Sequence, residues 1–415
     1  MDYYSFHIFD LLPFCLMALI LLLIMFMKQG GRKKAVLNRK VWFRKIVWQK
    51  KRKAGERKKA VFNRKVRVNN KAWQKQKAWY CFVVLFVFAA IRYGIGYDYF
   101  AYRAVVNHDV AELSMDRMEP LSRLLMEIGH MTHYQVFFII SSWLVLFPVY
   151  ITSRELSVNP AFSMVVFFLH PLLYLDGLGI IRNALAFSFV LLAIYYVLKD
   201  RIPLSIVLIV IAILFHKSAA IAFLIYPVYY IKNYRLLHIS FFLLSFIIST
   251  IVSRYIVQYA SAFSLIANAE HYIVDKNTSG GGTMTIIMNT MAIVHFLLWN
   301  RLSAIDKKYQ FLLGLFNVGV CVWNVFLPLD STIASRLGIF FVQVMLFLVP
   351  AYSLAVRRKY ALLVRQLSIC FFVVLFISYF YINVSGYKKD PSSRMSSIPY
   401  QTIIYHKDYS NYIVY

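Results

Sequence analysis

Arg182, His216 and Asp98 are the residues of this 415-residue chain best placed to do chemistry, because each stands where a long apolar run begins or ends. Ionisable groups at such positions are costly enough to need a partner or a task. Arg182 falls in the first turn of an apolar run that opens near Ile180. The positive end of a helix dipole already lies there, so a second cation is disfavoured unless an anion joins it. A guanidinium and free backbone N–H groups together make a site for phosphate or pyrophosphate. A pair with Asp176, or snorkelling to lipid headgroups, would also satisfy it. His216 and Lys217 share a turn, where an imidazole can move protons near neutral pH and an ammonium can hold phosphate. Hydrogen bonding between helices is the plainer role for both. Arg92 precedes Gly94, Gly96, Asp98, Tyr99 and Tyr102. Glycines there let a loop return over the bundle, the tyrosines can stack on sugar rings, and Asp98 can accept from a hydroxyl or act as a base. An aromatic belt with a boundary arginine has the same composition. Arg336, after Asp330 at the mouth of another span, is a further anion candidate.

Composition narrows what these residues can belong to. The chain is 60% hydrophobic and 15% charged, with a mean hydropathy of +0.61, whereas a soluble enzyme needs about 25% charged residues to cover its surface. Soluble α/β enzymes are excluded. The net charge of +28 is local: residues 28–78 hold 21 Lys/Arg against the single Glu56. Cys15, Cys81, Cys321 and Cys370 lie in apolar runs without CxxC spacing, which indicates neither a disulfide framework nor a zinc site. Walker A, HExxH, GxSxG and DxD motifs are absent, and Gly94-Ile-Gly96 and Gly177-Leu-Gly179 are only pieces of a dinucleotide fingerprint. No cofactor and no metal is indicated.

The elements that must position the candidates follow from a ruler of roughly 20 helical residues per bilayer crossing. Apolar runs near 9–27, 79–95, 134–153, 161–178, 181–198, 203–215, 218–231, 239–256, 284–299, 311–328, 337–355 and 367–382 predict an all-α bundle of about twelve transmembrane helices with long outer-face loops. The first run, 1–27, reads as a retained helix rather than a cleaved signal. Residues 28–78 form a basic cytoplasmic loop in which Arg32–Val41 recurs as Arg57–Val66, identical at nine of ten positions. With Trp42, Trp48 and Trp73 interspersed, it suits anionic headgroups; a membrane surface is preferred over nucleic acid as its partner. Lys/Arg in alternate connections then place both termini outside, with 79–382 as the polytopic domain and 383–415 as an outward-facing tail. The stretch 203–231 is too long for one span and reads as a hairpin whose turn, His216-Lys217, is recessed below the outer surface. Pro120 heads an amphipathic helix that lies at the interface or packs as a lid on the bundle.

The order Arg92-x-Gly-Ile-Gly-x-Asp-Tyr-x-x-Tyr102, Glu119-Pro120, Ile181-Arg182-Asn183, Phe215-His216-x-Ser218-Ala219 resembles the EpsG family of Wzy-type polysaccharide polymerases, over roughly residues 79–390 and most strongly over 90–225. Asn183 stands where the family often has Gln and Lys217 where an aromatic is common, and the 28–78 loop exceeds the family pattern. The resemblance implies a multi-pass enzyme of the bacterial cytoplasmic membrane, active face outward, that joins oligosaccharide repeat units carried on polyprenyl pyrophosphate. Membrane lipids, a chain-length regulator and a flippase would be its company. On that reading Arg182, helped by Arg336 or Arg92, faces the pyrophosphate; His216 or Asp98 faces the accepting hydroxyl; Tyr99, Tyr102, Glu119, Asn183 and Lys217 position sugar and phosphate. An O-antigen ligase or other lipid-linked-sugar enzyme, and a flippase for the same lipid, are the alternatives.

Overall fold

The computed structural model describes residues 6–27, 72–109, 118–259, 281–389 and 398–407. The duplicated decapeptide, Glu112, Asp116 and most of 257–283 lie outside the described residues. Helices follow one another as α1 (Leu12–Phe26), α2 (72–90), α3 (Tyr99–Val106), α4 (Pro120–Met131), α5 (Tyr134–Leu156), α6 (Pro160–Leu169), α7 (Leu175–Gly179), α8 (Ile181–Val197) and α9 (Ile202–Phe215). A 3-10 stretch over Lys217–Leu224 then runs into α10 (Ile225–Ile231), followed by α11 (Arg235–Tyr259), α12 (Gly281–Ile305), α13 (Lys308–Phe326), α14 (Ser331–Val342), α15 (Met345–Ala355) and α16 (Ala361–Lys389). One antiparallel pair of two-residue strands, β1 (Arg92–Tyr93) with β2 (Gln401–Thr402), joins the tail to the end of α2. Local chemistry sets many of the starts. Proline stands in the first turn of α1, α4, α6 and α9, where its missing N–H costs nothing. The Asp330 carboxylate caps α14 through the N–H groups of Thr332 (2.7 Å) and Ile333 (2.9 Å).

Among the described residues, five helices are long and apolar enough to cross a bilayer, six if α14 and α15 count as one span. The chain is therefore a polytopic all-α membrane protein. Each of the twelve predicted runs contains helix, though not as twelve single straight spans, and the run 79–95 leaves the helix after residue 90. The run 161–178 stops at Leu169 before His170-Pro171 and resumes only as the single turn α7. The run 218–231 begins as 3-10, and 337–355 bends by 56° between α14 and α15. Hydropathy reports how greasy a run is and not whether its backbone stays helical, so it overlooks such breaks. Helix α2 also reaches back to residue 72, taking Lys75 and Lys77 out of the predicted loop.

Helix α6, buried at every position, is packed by α1, α5, α15 and α16. In lipid this gain comes from close packing and interhelical hydrogen bonds rather than from escape from water. A polar seam ties α11, α12 and α13: Asn289 and Asn324 exchange amide hydrogen bonds of 2.9 Å, Asn324 also donates to Ser245 (3.1 Å), and the Trp323 indole donates to Thr285 (2.9 Å).

The two ends of the bundle differ in charge. At one end Lys75 pairs with Glu155 (3.0 Å), Arg154 meets the same carboxylate (2.8 Å), and Lys77 and Lys308 donate to the carbonyls of Met25 and Leu156 (2.9 Å each). At the other end gather the end of α2, the starts of α5 and α8, the end of α9 and the 398–407 segment. The loop after α2 is pinned there by a glycine contact. Gly96 has φ +106° and lies so close to Gly179 that an added Cβ would stand 2.5 Å from the Gly179 Cα. The broken fingerprint pieces are thus packing glycines.

Gly96→Ala combines left-handed backbone with a backbone clash, a strain of roughly 1–3 kcal/mol or more. The expected result is a clearly lower melting temperature in detergent, whereas Gly282→Ala, with nothing within 4 Å of its added Cβ, should melt like the parent.

Candidate functional site

Glu119 gathers the site. It precedes Pro120 in extended backbone at the start of α4 and is 5% exposed. Its Oε2 accepts from Arg182 Nη1 at 2.7 Å, and its Oε1 accepts the backbone N–H of Lys217 at 3.2 Å. His216 Nδ1 lies 3.4 Å from the same Oε1, in contact without the alignment of a formed hydrogen bond. Three helix starts therefore meet around one carboxylate: α4 carries it, α8 brings the Arg182 guanidinium, and the 3-10 stretch donates the Lys217 N–H. Burial acts to raise the Glu119 carboxyl, but the His216 ring, the Arg182 charge and the backbone donors outweigh it and hold it down at about 2. Glu119 is thus a carboxylate throughout the physiological range.

α4 is held where it carries Glu119 by Ser122, whose hydroxyl donates to the Phe215 carbonyl at 2.8 Å, and by Gly129, against Phe137 and Val106. Its outer face carries the Arg123–Glu127 pair at 3.9 Å. It is a lid packed on α5 and α9. Arg182, with 29% of its side chain exposed, also makes a hydrogen-bonding contact with Tyr102 on α3. The partner sequence offered for Arg182, Asp176, is engaged elsewhere: Tyr379 on α16 donates to its Oδ1 at 3.1 Å.

The other candidates fall into three places. Tyr102 and the Lys217 backbone join the Glu119–Arg182–His216 cluster, with the Lys217 side chain exposed beside it. Asp98, half-buried at the start of α3, interacts with Tyr102 one turn on. Asn183 and Arg336 line a separate recess with Asp176. Arg92 and Tyr99 are not in the cluster. The Arg92 guanidinium is 1% exposed and donates to the Ala89 carbonyl, Ser142 Oγ (3.0 Å) and the Leu178 carbonyl (3.2 Å), with the Phe138 ring 5.1 Å away. It staples α2, α5 and the α7–α8 turn together. Tyr99 is fully buried and stacks on Phe138 at 4.3 Å, so its faces are occupied by protein. The sequence signal for both, an aromatic and a cation at a membrane boundary, does not distinguish a surface facing substrate from one facing a neighbouring helix. Ser122, Gln135 and Tyr379 position parts of this end, and as single polar residues in apolar surroundings only their intramembrane polarity hinted at it.

The family model for the EpsG family matches residues 78–402. The chain belongs to the EpsG family. Members of the EpsG family are Wzy-type polymerases, so the chain is a polysaccharide polymerase of surface polysaccharide biosynthesis, and the Glu119–Arg182–His216 cluster is its candidate active site. No curated protein and no solved structure matches the chain.

Removing either partner of the Glu119–Arg182 pair leaves the other charge unpaired, a loss of about 1–3 kcal/mol after discounting for the exposure of Arg182. In a double-mutant cycle, Glu119→Gln with Arg182→Gln should cost less than the two single changes added. The folded carboxyl at about 2 lies below its ordinary 4.5, so this stabilisation is complete above the higher value and lost as pH falls through the lower. The melting-temperature gap between parent and Glu119→Gln should close as the solution is acidified from about 4.5 toward 2.

Proposed function

We propose that this protein joins oligosaccharide repeat units carried on polyprenyl pyrophosphate, at the outer face of the bacterial cytoplasmic membrane, through a bundle of about twelve crossings. The observation that carries the reading is the shared carboxylate: Glu119 holds a guanidinium and an imidazole on either side of itself, 2.7 Å and 3.4 Å away. Outward orientation is supported by the basic opposite end, since Lys/Arg-rich ends face the cytoplasm.

In the reaction a hydroxyl of one unit attacks the anomeric carbon of a chain held on its lipid. A carbon–oxygen bond forms to the incoming hydroxyl as the bond to pyrophosphate breaks, and the pyrophosphate leaves with the electron pair. The hardest charge to stabilise is that departing diphosphate. Arg182 is the group for it, with the exposed Lys217 and the start of α8 keeping the rim positive despite the carboxylate. His216 takes the hydroxyl proton. With Nδ1 turned to Glu119, its Nε2 is the nitrogen left for the substrate, and the carboxylate stabilises the imidazolium that results. Tyr102 keeps Arg182 in place and Asp98 braces Tyr102.

Purified protein in vesicles, supplied with its lipid-linked repeat units on the outer face, should yield a ladder of longer lipid-linked chains. Arg182→Ala should reduce extension by roughly a hundredfold or more while membrane insertion is retained, and His216→Ala should do likewise. Normal chain length from Arg182→Ala would sink the assignment. Glycan moved to a different lipid would make the protein a ligase, and movement across the bilayer without a new bond would make it a flippase.

A further inference from the structure

α1 and α16 stand at the lipid edge of the bundle: among the described residues they are the least buried of the five long spans. Between them lies a groove of about 290 Å³, about twice the apolar cavity of roughly 150 Å³ that takes up a benzene ring. Its walls run from Ile8 to Cys15 on the α1 side and from Phe376 to Ser385 on α16. At 1.5 Å per residue the α16 wall is about 14 Å long, the depth of one leaflet of a hydrocarbon core about 30 Å thick. Phe14 forms the back of the groove, fully buried, with ring centres 5.0 Å from Phe380 and 5.9 Å from Tyr400. The rim is open, since Ile8, Cys15, Ile377 and Tyr381 are exposed.

Hydrocarbon is the chemistry that fits, and position decides whose. The groove belongs to the reactive end. On α16, Tyr379 donates to Asp176 six residues before Arg182, and Asn383 accepts from Tyr97 at 3.3 Å. Tyr97 follows Gly96, which is packed on Gly179, three residues before Arg182. The groove and the Glu119–Arg182–His216 cluster are thus joined through the loop after α2 and the start of α8. The mouth has the wrong sign for a bilayer phospholipid. Asp10, whose carboxylate accepts the His7 N–H at 2.7 Å, stands in the same 3-10 turn as Ile8 and Leu11 of the groove wall, so a phosphate directly over the groove meets an anion. A lipid whose phosphates sit to one side of its bound chain, at Arg182, avoids that contact. We propose that the groove between α1 and α16 holds the isoprenoid chain of the lipid carrier while the pyrophosphate of the same molecule reaches Arg182. The inference rests on the polymerase reading and adds a second point of attachment for its substrate. Because the chain moves from one apolar medium to another, the groove supplies packing and orientation rather than escape from water, and it fixes the side from which the pyrophosphate enters the cluster.

The test uses the purified full chain in vesicles of phosphatidylethanolamine and phosphatidylglycerol with two photoreactive probes: a polyprenyl phosphate carrying a diazirine in mid-chain, and a phosphatidylglycerol carrying one in an acyl chain. The polyprenyl probe should attach to peptides covering Ile8–Cys15 and Phe376–Ser385, and excess unlabelled polyprenyl phosphate should lower those adducts about tenfold or more. The diacyl probe should instead spread over exposed apolar faces such as Leu243 on α11 and Leu297 on α12. Cys15→Trp fills the groove from an exposed position and should suppress the polyprenyl adducts. It should also cut by about tenfold the kcat/KM advantage of a repeat unit on a long polyprenyl carrier over the same unit on a farnesyl carrier, whose short chain leaves the groove unfilled. Ile377→Trp, likewise exposed, stands in should Cys15→Trp fold poorly. Polyprenyl adducts spread evenly over the lipid-facing helices overturn the proposal, and so do groove adducts made equally by both probes, which would make it a groove for bulk lipid. Labelling needs no bond to sugar, so groove adducts without any chain extension would remove the polymerase assignment and leave the isoprenoid site, whereas extension without groove adducts would do the reverse.

Discussion

A guanidinium in the first turn of a helix is electrostatically misplaced, and the organisation of this molecule's reactive end follows from how that misplacement is relieved. The positive end of α8 and the charge of Arg182 repel each other. Glu119 ends that repulsion at 2.7 Å, but only because α4 carries it there, and α4 is held by the bond from its Ser122 to Phe215 of α9 and by Gly129 against α5. The same carboxylate receives the start of the 3-10 stretch that follows His216. Three segments far apart in sequence thus take their relative positions from one anion, and the imidazole and guanidinium are spaced as a by-product.

The membrane imposes the rest. Backbone polar groups must be satisfied within each helix, so breaks are tolerated only where protein surrounds them. The break at His170-Pro171 follows the most buried helix of the bundle, and the bend between α14 and α15 lies among residues that are buried on both sides. Both adjoin the recess, whose lining includes Leu172 and Ile339, while the amide seam ties α11 to α13. Irregular backbone is spent on the site and regular helix on the scaffold.

Much of this architecture was legible in the residues. Apolar runs located the helices, the length of the stretch 203–231 located the turn at His216-Lys217, and Pro120 marked the helix that bears Glu119. Arg182 and His216 were singled out because an ion at a helix end needs a reason. What could not be read was convergence. Asp176 and Glu119 are both acids near the right boundary, and only three-dimensional packing decides that the one 63 positions away in sequence reaches Arg182 while the one six positions away turns to Tyr379. Arg92 and Tyr99 misled for a related reason. Their types suit carbohydrate and phosphate, but the same types also satisfy buried carbonyls and fill gaps between helices. The resemblance carried by the ordered motifs supplied what hydropathy cannot, the reaction class.

The pairing of β1 with β2 sets an order on biogenesis. Tyr400 donates to the Phe88 carbonyl across 312 positions and stacks on the Phe88 ring, and His406 covers Tyr93. Tyr93 in turn accepts from Arg103 on the helix that presents Tyr102 to Arg182. Residues 398–407 must therefore be made before this end is sealed, although α2 and α5 precede them far upstream in the chain. A nascent chain stalled short of residue 400 would lack the strand that pairs with Arg92–Tyr93, so the latching of that end waits on a segment 312 positions downstream of the carbonyl it bonds.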